Sequence, residues 1–260
     1  MRAGGLGLLL VILAGAAGVT AVPDVLAPGG EAVVVQVIDG DTVRLEDGRE
    51  VRLVGIQAPK LPLGRPDFTA WPLAEAAKAA LERLALGETV TLGYGDRRSD
   101  RHGRILAHLF TDDGLWLEGE MLERGLARVY TFTDNRRLVH EMLARERRAR
   151  AAGRGIWTHA FYAIRQHDAL GRISGGFAVV EGRVVDSAVV RGRGYLNFGE
   201  DYRTDFTISI APRDLATFRR EDVELSGYRG RRVRVRGWLK WLNGPMIDVT
   251  HPEQIEVLEE

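Results

Sequence analysis

From Glu31 the chain runs in short β-branched stretches broken by turn signals, and AVVVQVIDGDTVRLEDGREVRLVGI reads as three strands. Glu46-Asp47-Gly48 is the hairpin turn between the second and third, because Asp-Gly accepts the positive φ of a tight turn. A segment punctuated by Pro59, Pro62, Pro66 and Pro72 is too interrupted for regular structure. Leu73, Ala76, Ala77, Ala80, Leu81 and Leu84 recur at helical spacing and predict a helix at about Leu73 to Leu84, closed by Gly87. Strands follow at Glu88 to Leu92 and Ile105 to Phe110, on either side of the charged segment GDRRSDRHGR. A short helix fits Leu117 to Arg124. A longer one fits about Arg136 to Ala152, with Asp134-Asn135 as a capping pair and Gly153 and Gly155 as its stop. The order β-β-β-α-β-β-α-α suits a small Greek-key barrel of the OB type carrying three helices.

Residues 159–176 carry few strand or core signals and read as a connector. Strand patterning then resumes through FAVVEGRVVDSAVV, YLNFG, DFTISI, RRVRVRGWLKWL and PMIDVTHPEQIEVL. The expectation is an α+β chain, mainly β, of two units: an OB-type barrel over residues 32–158 and a second β-rich, OB-like barrel over 177–260. No residue-level repeat links the halves, so any kinship between them is one of topology.

Composition adds limits more than direction. The 260 residues are 45% hydrophobic and 28% charged, enough for packed cores and too balanced for disorder. Lys plus Arg and Asp plus Glu stand at 36 each, so a polyanion-binding surface has to be a local patch. The absence of cysteine removes disulfides, zinc-thiolate sites and Cys nucleophiles. Met1-Arg2 and the apolar run from Leu6 to Val22 read as a signal peptide over residues 1–21, cleaved after Ala21. That predicts a periplasmic or secreted protein with no membrane span after cleavage; an uncleaved anchor in the inner membrane is the alternative. Oligomeric state is left open.

Three segments carry chemistry: VIDGDTVRL at 37–45, VRLVGIQAPK at 51–60 and RSDRHGRILAHLF at 98–110. In this order and spacing, with the same helices between them and GIW after the last, the stretch from about Ala32 to Trp157 resembles the staphylococcal (micrococcal) nuclease family. The resemblance implies a calcium-dependent phosphodiesterase acting on DNA and RNA. Carried over by position, Asp41 matches a metal ligand, Asp39 a supporting carboxylate, and Ala58 a backbone carbonyl offered to the metal. Arg52 and Arg104 match two phosphate clamps, a role that suits guanidinium forks facing a phosphoryl group.

Two positions depart from the family pattern. Gln57 stands where a second metal-binding Asp is expected, and Lys60 where the Glu that activates water is expected. Calcium prefers several charged oxygens, so its site is weakened. A charged lysine cannot take a proton, and general-base assistance is worth on the order of 10² to 10⁴ in rate. The two replacements make the pocket three charge units more positive, which predicts an anion pocket of Arg52, Arg104 and Lys60 unless Lys60 turns to solvent. The function read from this is binding of nucleic acid or another phosphate-bearing polymer at a degenerate phosphodiesterase site. An active calcium-dependent endonuclease with a substitute base, and a non-catalytic envelope interaction module, stay open. Glu46, Glu50, Asp67 and His102 are the nearby candidate bases.

Basic residues near the motifs extend the candidate interface to Arg98 and Arg101. Arg145, Arg147, Arg148, Arg150 and Arg154 are interleaved with Glu141 and Glu146 and read as a salt-bridged helix face. In the second unit Val233, Arg234, Val235 and Arg236 alternate strictly and lead to Trp238 and Trp241. They predict one basic, aromatic face for single strands, with at least one tryptophan in the core.

Overall fold

The β-branched runs become strands whose alternate residues fill a barrel. In the computed structural model, which describes residues 22–171 and 175–258, the first unit contains β1 (Ala27–Asp39), β2 (Thr42–Leu45), β3 (Glu50–Leu53) and β4 (Ile56–Gln57). Helix α1 (Ala74–Ala85), β5 (Thr89–Tyr94), β6 (Ile105–Thr111), α2 (Leu117–Glu123), β7 (Arg128–Val129) and α3 (Val139–Ala151) follow. The barrel closes in the order β1-β2-β3-β6-β5 back to β1, with β3 and β6 parallel and the remaining pairs antiparallel. Val34, Val43, Leu45, Val51, Leu53, Val90, Leu92 and Leu109 are fully buried inside it. The Asp-Gly turn forms as expected, with Gly48 at φ 85° and the Leu45 N–H bonded to the Arg49 carbonyl.

Helix α3 starts three residues later than the sequence predicts, and Asp134-Asn135 does not cap it. Its first flanking residue is Leu138, in a left-handed conformation with no side-chain cap. Asp134 instead pairs with Arg97, and the Asn135 side-chain amide donates to the Arg97 carbonyl, so both residues hold down the loop between β5 and β6.

The connector is also more ordered than expected. It holds 3₁₀ turns at Ala160–Tyr162 and His167–Ala169, and its β8 (Arg165–Gln166) adds an edge strand to the second sheet. That sheet contains β9 (Phe177–Arg183), β10 (Asp186–Val190), β11 (Arg193–Asn197), β12 (Thr207–Ile210), β13 (Arg232–Trp241), β14 (Pro245–Val249) and β15 (Ile255–Val257). Strands β9 and β10 are pieces of one stretch, broken where the Val184 N–H bonds the Arg231 carbonyl and the Val185 N–H bonds that of Asn197. One piece pairs with β13 and the other with β11. The sheet therefore curls round in the order β9/β10-β11-β12-β14-β13, with β12 and β14 parallel. This repeats the first barrel, down to a helix between the third and fourth strands: α1 there, α4 (Pro212–Arg220) here. The sequence reading missed α4, although Pro212 at its first turn is a helix-start signal and Leu215 and Phe218 are buried at helical spacing.

The face of β13 read as a nucleic-acid surface is mostly an interface between the barrels. Arg236 is 1% exposed and bonds Glu146 of α3 and Glu256 of β15. Arg234 pairs with Glu181. Trp238 and Trp241 are 50% and 44% exposed, so neither is core, and Trp241 closes the hairpin to β14 opposite Pro245. The Trp238 indole N–H bonds the Tyr130 hydroxyl across the junction. The predicted signal peptide lies outside the described residues, among which no helix is long and apolar enough to cross a membrane.

Candidate functional site

Strand β1 ends in Asp39 and turns through Gly40 and Asp41 into β2, with Asp39 paired to Thr42. Gly40 is required by close approach: a Cβ there would sit 2.7 Å from the Cβ atoms of both Ala58 and Ala77. The turn is thereby pressed against α1 and the 57–60 loop, and both carboxylates face inward. Asp41 is wholly buried and Asp39 nearly so. Asp39 Oδ1 accepts the Asp41 N–H at 3.1 Å, which fixes one carboxylate relative to the other.

Lys60 reaches this pair. Its Nζ lies 2.6 Å from each carboxylate oxygen of Asp41 and 3.3 Å from Asp39 Oδ2. The Ala58 N–H donates to Asp41 Oδ2 at 2.7 Å, and Arg52 Nη1 stands 3.0 Å from Asp41 Oδ1. Burial pushes the Asp41 carboxyl up, but the charges of Arg52 and Lys60, with hydrogen bonds from Lys60 and the Ala58 N–H, outweigh it and hold the group at about 2. Asp39 is shifted upward, by burial first and then by the neighbouring Asp41 charge. Both alternatives the sequence left for Lys60 are corrected: its amine neither joins Arg104 nor points to solvent.

Gln57 is turned the other way. Its Oε1 accepts from Arg128 Nε at 2.9 Å and Nη2 at 2.6 Å. Arg128 is itself buried, with its guanidinium carbon 4.4 Å from the Phe177 ring centroid in the second unit. The group of Ala58 that meets Asp41 is its N–H, whereas a carbonyl was expected. Among the described residues, no cluster of three or more His, Asp or Glu is placed to hold a metal. The donors present do not fit calcium, because an ammonium fills the point between the two carboxylates and the amide oxygen of Gln57 is spent on a guanidinium.

Arg52 and Arg104 share a different space, a cleft of about 640 Å³ between the barrels. Arg52 donates to the carbonyls of Asp41, Leu53 and Ile56, so much of its fork is committed to the backbone. Arg104 lies 2.7 Å from Asp100. Arg97, Arg101, His102, Tyr130, Phe132 and, from the second unit, Arg213 also line the cleft. Arg101 is exposed, and among the described residues it has no carboxylate partner; its Nε bonds His102 Nε2 at 3.1 Å. Arg98 lies outside the lining, with its guanidinium carbon 4.9 Å from the Tyr94 ring centroid.

The candidate bases do not gather at Asp41. Glu46 accepts the Val33 N–H, Glu50 pairs with Arg44, Asp67 is exposed on the proline loop, and His102 bonds Arg101. Of the helix arginines, Arg150 pairs with Glu146 on its own helix, whereas Arg148 and Arg154 reach Glu123 of α2 and Arg147 reaches Glu256 of the second unit. Sequence reasoning missed Arg128 and the Tyr130–Phe132 pair, whose rings meet edge to face at 4.9 Å, and placed Glu146 on the helix face without its partner Arg236.

A model of the staphylococcal nuclease homologue family matches residues 50–159. An uncharacterized endonuclease of Escherichia coli is 36% identical over 130 residues, covering 49% of this chain and 76% of that protein. A thermonuclease of Staphylococcus intermedius is 30% identical over 123 residues, covering 45% of this chain and 71% of its own. Endonuclease YncB of Bacillus subtilis is 30% identical over 131 residues, 48% of this chain and 60% of that protein.

Proposed function

Since the chain belongs to the staphylococcal nuclease family, we propose that it is a nucleic-acid-binding member in which metal-dependent cleavage has given way to binding alone. One observation carries this reading: Lys60 Nζ lies 2.6 Å from both oxygens of Asp41, in the place where the family resemblance calls for a cation and a base. With Asp39 and Asp41 both held by Lys60 and an amide at Gln57, no carboxylate of this site among the described residues is free to take a proton from water. The ligand class is a single-stranded polyanion, supported by the cleft between the barrels, where the cations Arg101, Arg104 and Arg213 stand beside Tyr130 and Phe132. An exported address belongs to the proposal and is supported by the apolar run from Leu6 to Val22.

The test incubates the full chain with single-stranded DNA and RNA, in calcium or in chelator. Retention at low ionic strength without cleavage in either solution is expected. Calcium-dependent cleavage that Arg104→Ala abolishes would overturn the loss of hydrolysis. Failure to retain either polymer at low ionic strength would favour an interaction module that touches no nucleic acid.

A further inference from the structure

We infer that the Lys60 ammonium is a cation built into the chain, tethered between Asp39 and Asp41 so that the site is complete without any metal ion. The inference rests on the family reading only for the idea that a cation is expected at this point. Its geometry stands by itself.

Charge and position both lead to it. Asp39 and Asp41 bring two negative charges into a buried turn, and Arg52 and Lys60 bring two positive ones, so the cluster is balanced by the chain's own groups. The amine is the group that touches both carboxylates, and it touches Asp41 through both oxygens. Its backbone is pinned independently: the Lys60 carbonyl accepts the Trp71 N–H at 2.9 Å, and Leu61 next to it is buried. A side chain anchored at both ends is held in one geometry, which lowers the entropic cost of keeping the ion pair. Gln57 takes no part in this cluster, because its neutral amide faces Arg128 instead.

The consequence is that the β1–β2 turn keeps its shape at any metal concentration. Removing the amine would leave two carboxylates facing Arg52 alone, a net negative buried turn that a free divalent cation can fill.

The chain has three lysines, Lys60, Lys78 and Lys240, which makes the ammonium directly measurable. Lys60 and Lys78 have similar side-chain exposures, 21% and 32%, so exposure alone predicts similar reactivity. Acylation requires the amine to leave its carboxylates, which Lys60 meets through three contacts and Lys78 through one at 3.7 Å. In the unaltered full chain, timed acetylation read by mass spectrometry is expected to modify Lys60 several-fold more slowly than Lys78. Equal rates would overturn the inference. In parallel, calorimetric titration with calcium and melting in calcium or chelator are expected to show no binding and no change for the unaltered chain. Lys60→Ala should melt lower in chelator, recover in calcium and bind one ion. Calcium binding to the unaltered chain, or a folded Lys60→Ala variant that ignores calcium, would overturn it. If Lys60→Ala does not fold in either solution, acetylation and calcium titration of the unaltered chain decide. None of these readouts uses nucleic acid, so a failure of the proposed binding function would be seen separately.

Discussion

The guanidinium of Arg236, on β13 of the second barrel, spans both carboxylate oxygens of Glu146 on α3 of the first, at 2.9 and 3.0 Å. Glu146 also accepts the Val129 N–H at 2.6 Å, next to the buried Arg128, so the junction is wired to the strand that holds Gln57. Neither member of the pair meets water. Truncating Arg236 to Met would strand Glu146 and Glu256 inside the junction, and breaking such a pair costs about 3–5 kcal/mol. Arg150 still faces Glu146, so the expected loss lies toward the lower end. Urea unfolding should show the drop as a shifted midpoint. An unchanged midpoint would mean that the barrels are held together elsewhere.

That pair also marks where the sequence stops being legible. The first barrel reads well because its signals are local: alternation over four to seven residues, Asp47-Gly48 at a hairpin, and Asp39-Gly40-Asp41 at a tight turn. Asp41 and Arg52 are picked out by position within the family resemblance, whose motifs are equally local. Arg236 and Glu146 are 90 residues apart, and Gln57 and Arg128 are 71 apart. A strand reading Val-Arg-Val-Arg has the same pattern whether its arginines face water or a glutamate on another domain. Only the partner surface decides, and no local period encodes it. Lys60 was legible as a departure in charge, but not in direction, because a proline-interrupted loop sets where it points.

The cations of the cleft are distinguished by their partners. Arg101 has no carboxylate partner among the described residues, whereas Arg234 is held by Glu181. Arg101→Ala is expected to weaken binding of single-stranded oligonucleotides of any sequence and to lower the slope of log affinity against log salt by about 0.7. Arg234→Ala is expected to leave that slope unchanged. Fluorescence titrations at several salt concentrations would settle both, and equal slopes for the two variants would remove the cleft from the binding surface.

Restoring one carboxylate should not restore cleavage. Gln57→Asp places a charge beside Arg128 while the Lys60 amine still occupies Asp41, so single-stranded DNA should remain intact in calcium. The double variant Gln57→Asp, Lys60→Glu frees Asp41 and supplies a proton acceptor. It is expected to gain calcium-dependent cleavage within the roughly 10² to 10⁴ range that a general base provides. If the double variant is also inert, these two positions are not the whole of the loss.

Three buried groups set opposing pH slopes on stability. His251 bonds Thr131 across the junction at 2.9 Å, and burial, then the charges of Arg136 and Arg236, hold it down at about 3 against an ordinary value of 6.5. Burial likewise brings His108 to about 3 from 6.5. Between those values the unfolded chain binds protons that the folded one refuses, so stability is lost as pH falls below 6.5. Glu118 behaves in the opposite sense. Burial raises it to about 8 from 4.5, so the folded chain keeps a proton that the unfolded one has released, and stability is lost as pH rises through that window. Two histidines outweigh one glutamate where the windows overlap, which places the stability maximum close to pH 6.5, the upper edge of the histidine window. Melting temperatures followed across pH should fall on both sides of it. Glu118→Gln should flatten the alkaline limb and steepen the acid limb above pH 4.5, where its window overlaps that of the histidines, and His251→Gln should flatten the acid limb alone. A Glu118→Gln variant that kept its alkaline slope, or a His251→Gln variant that kept its acid slope, would show that the charge removed is not the cause.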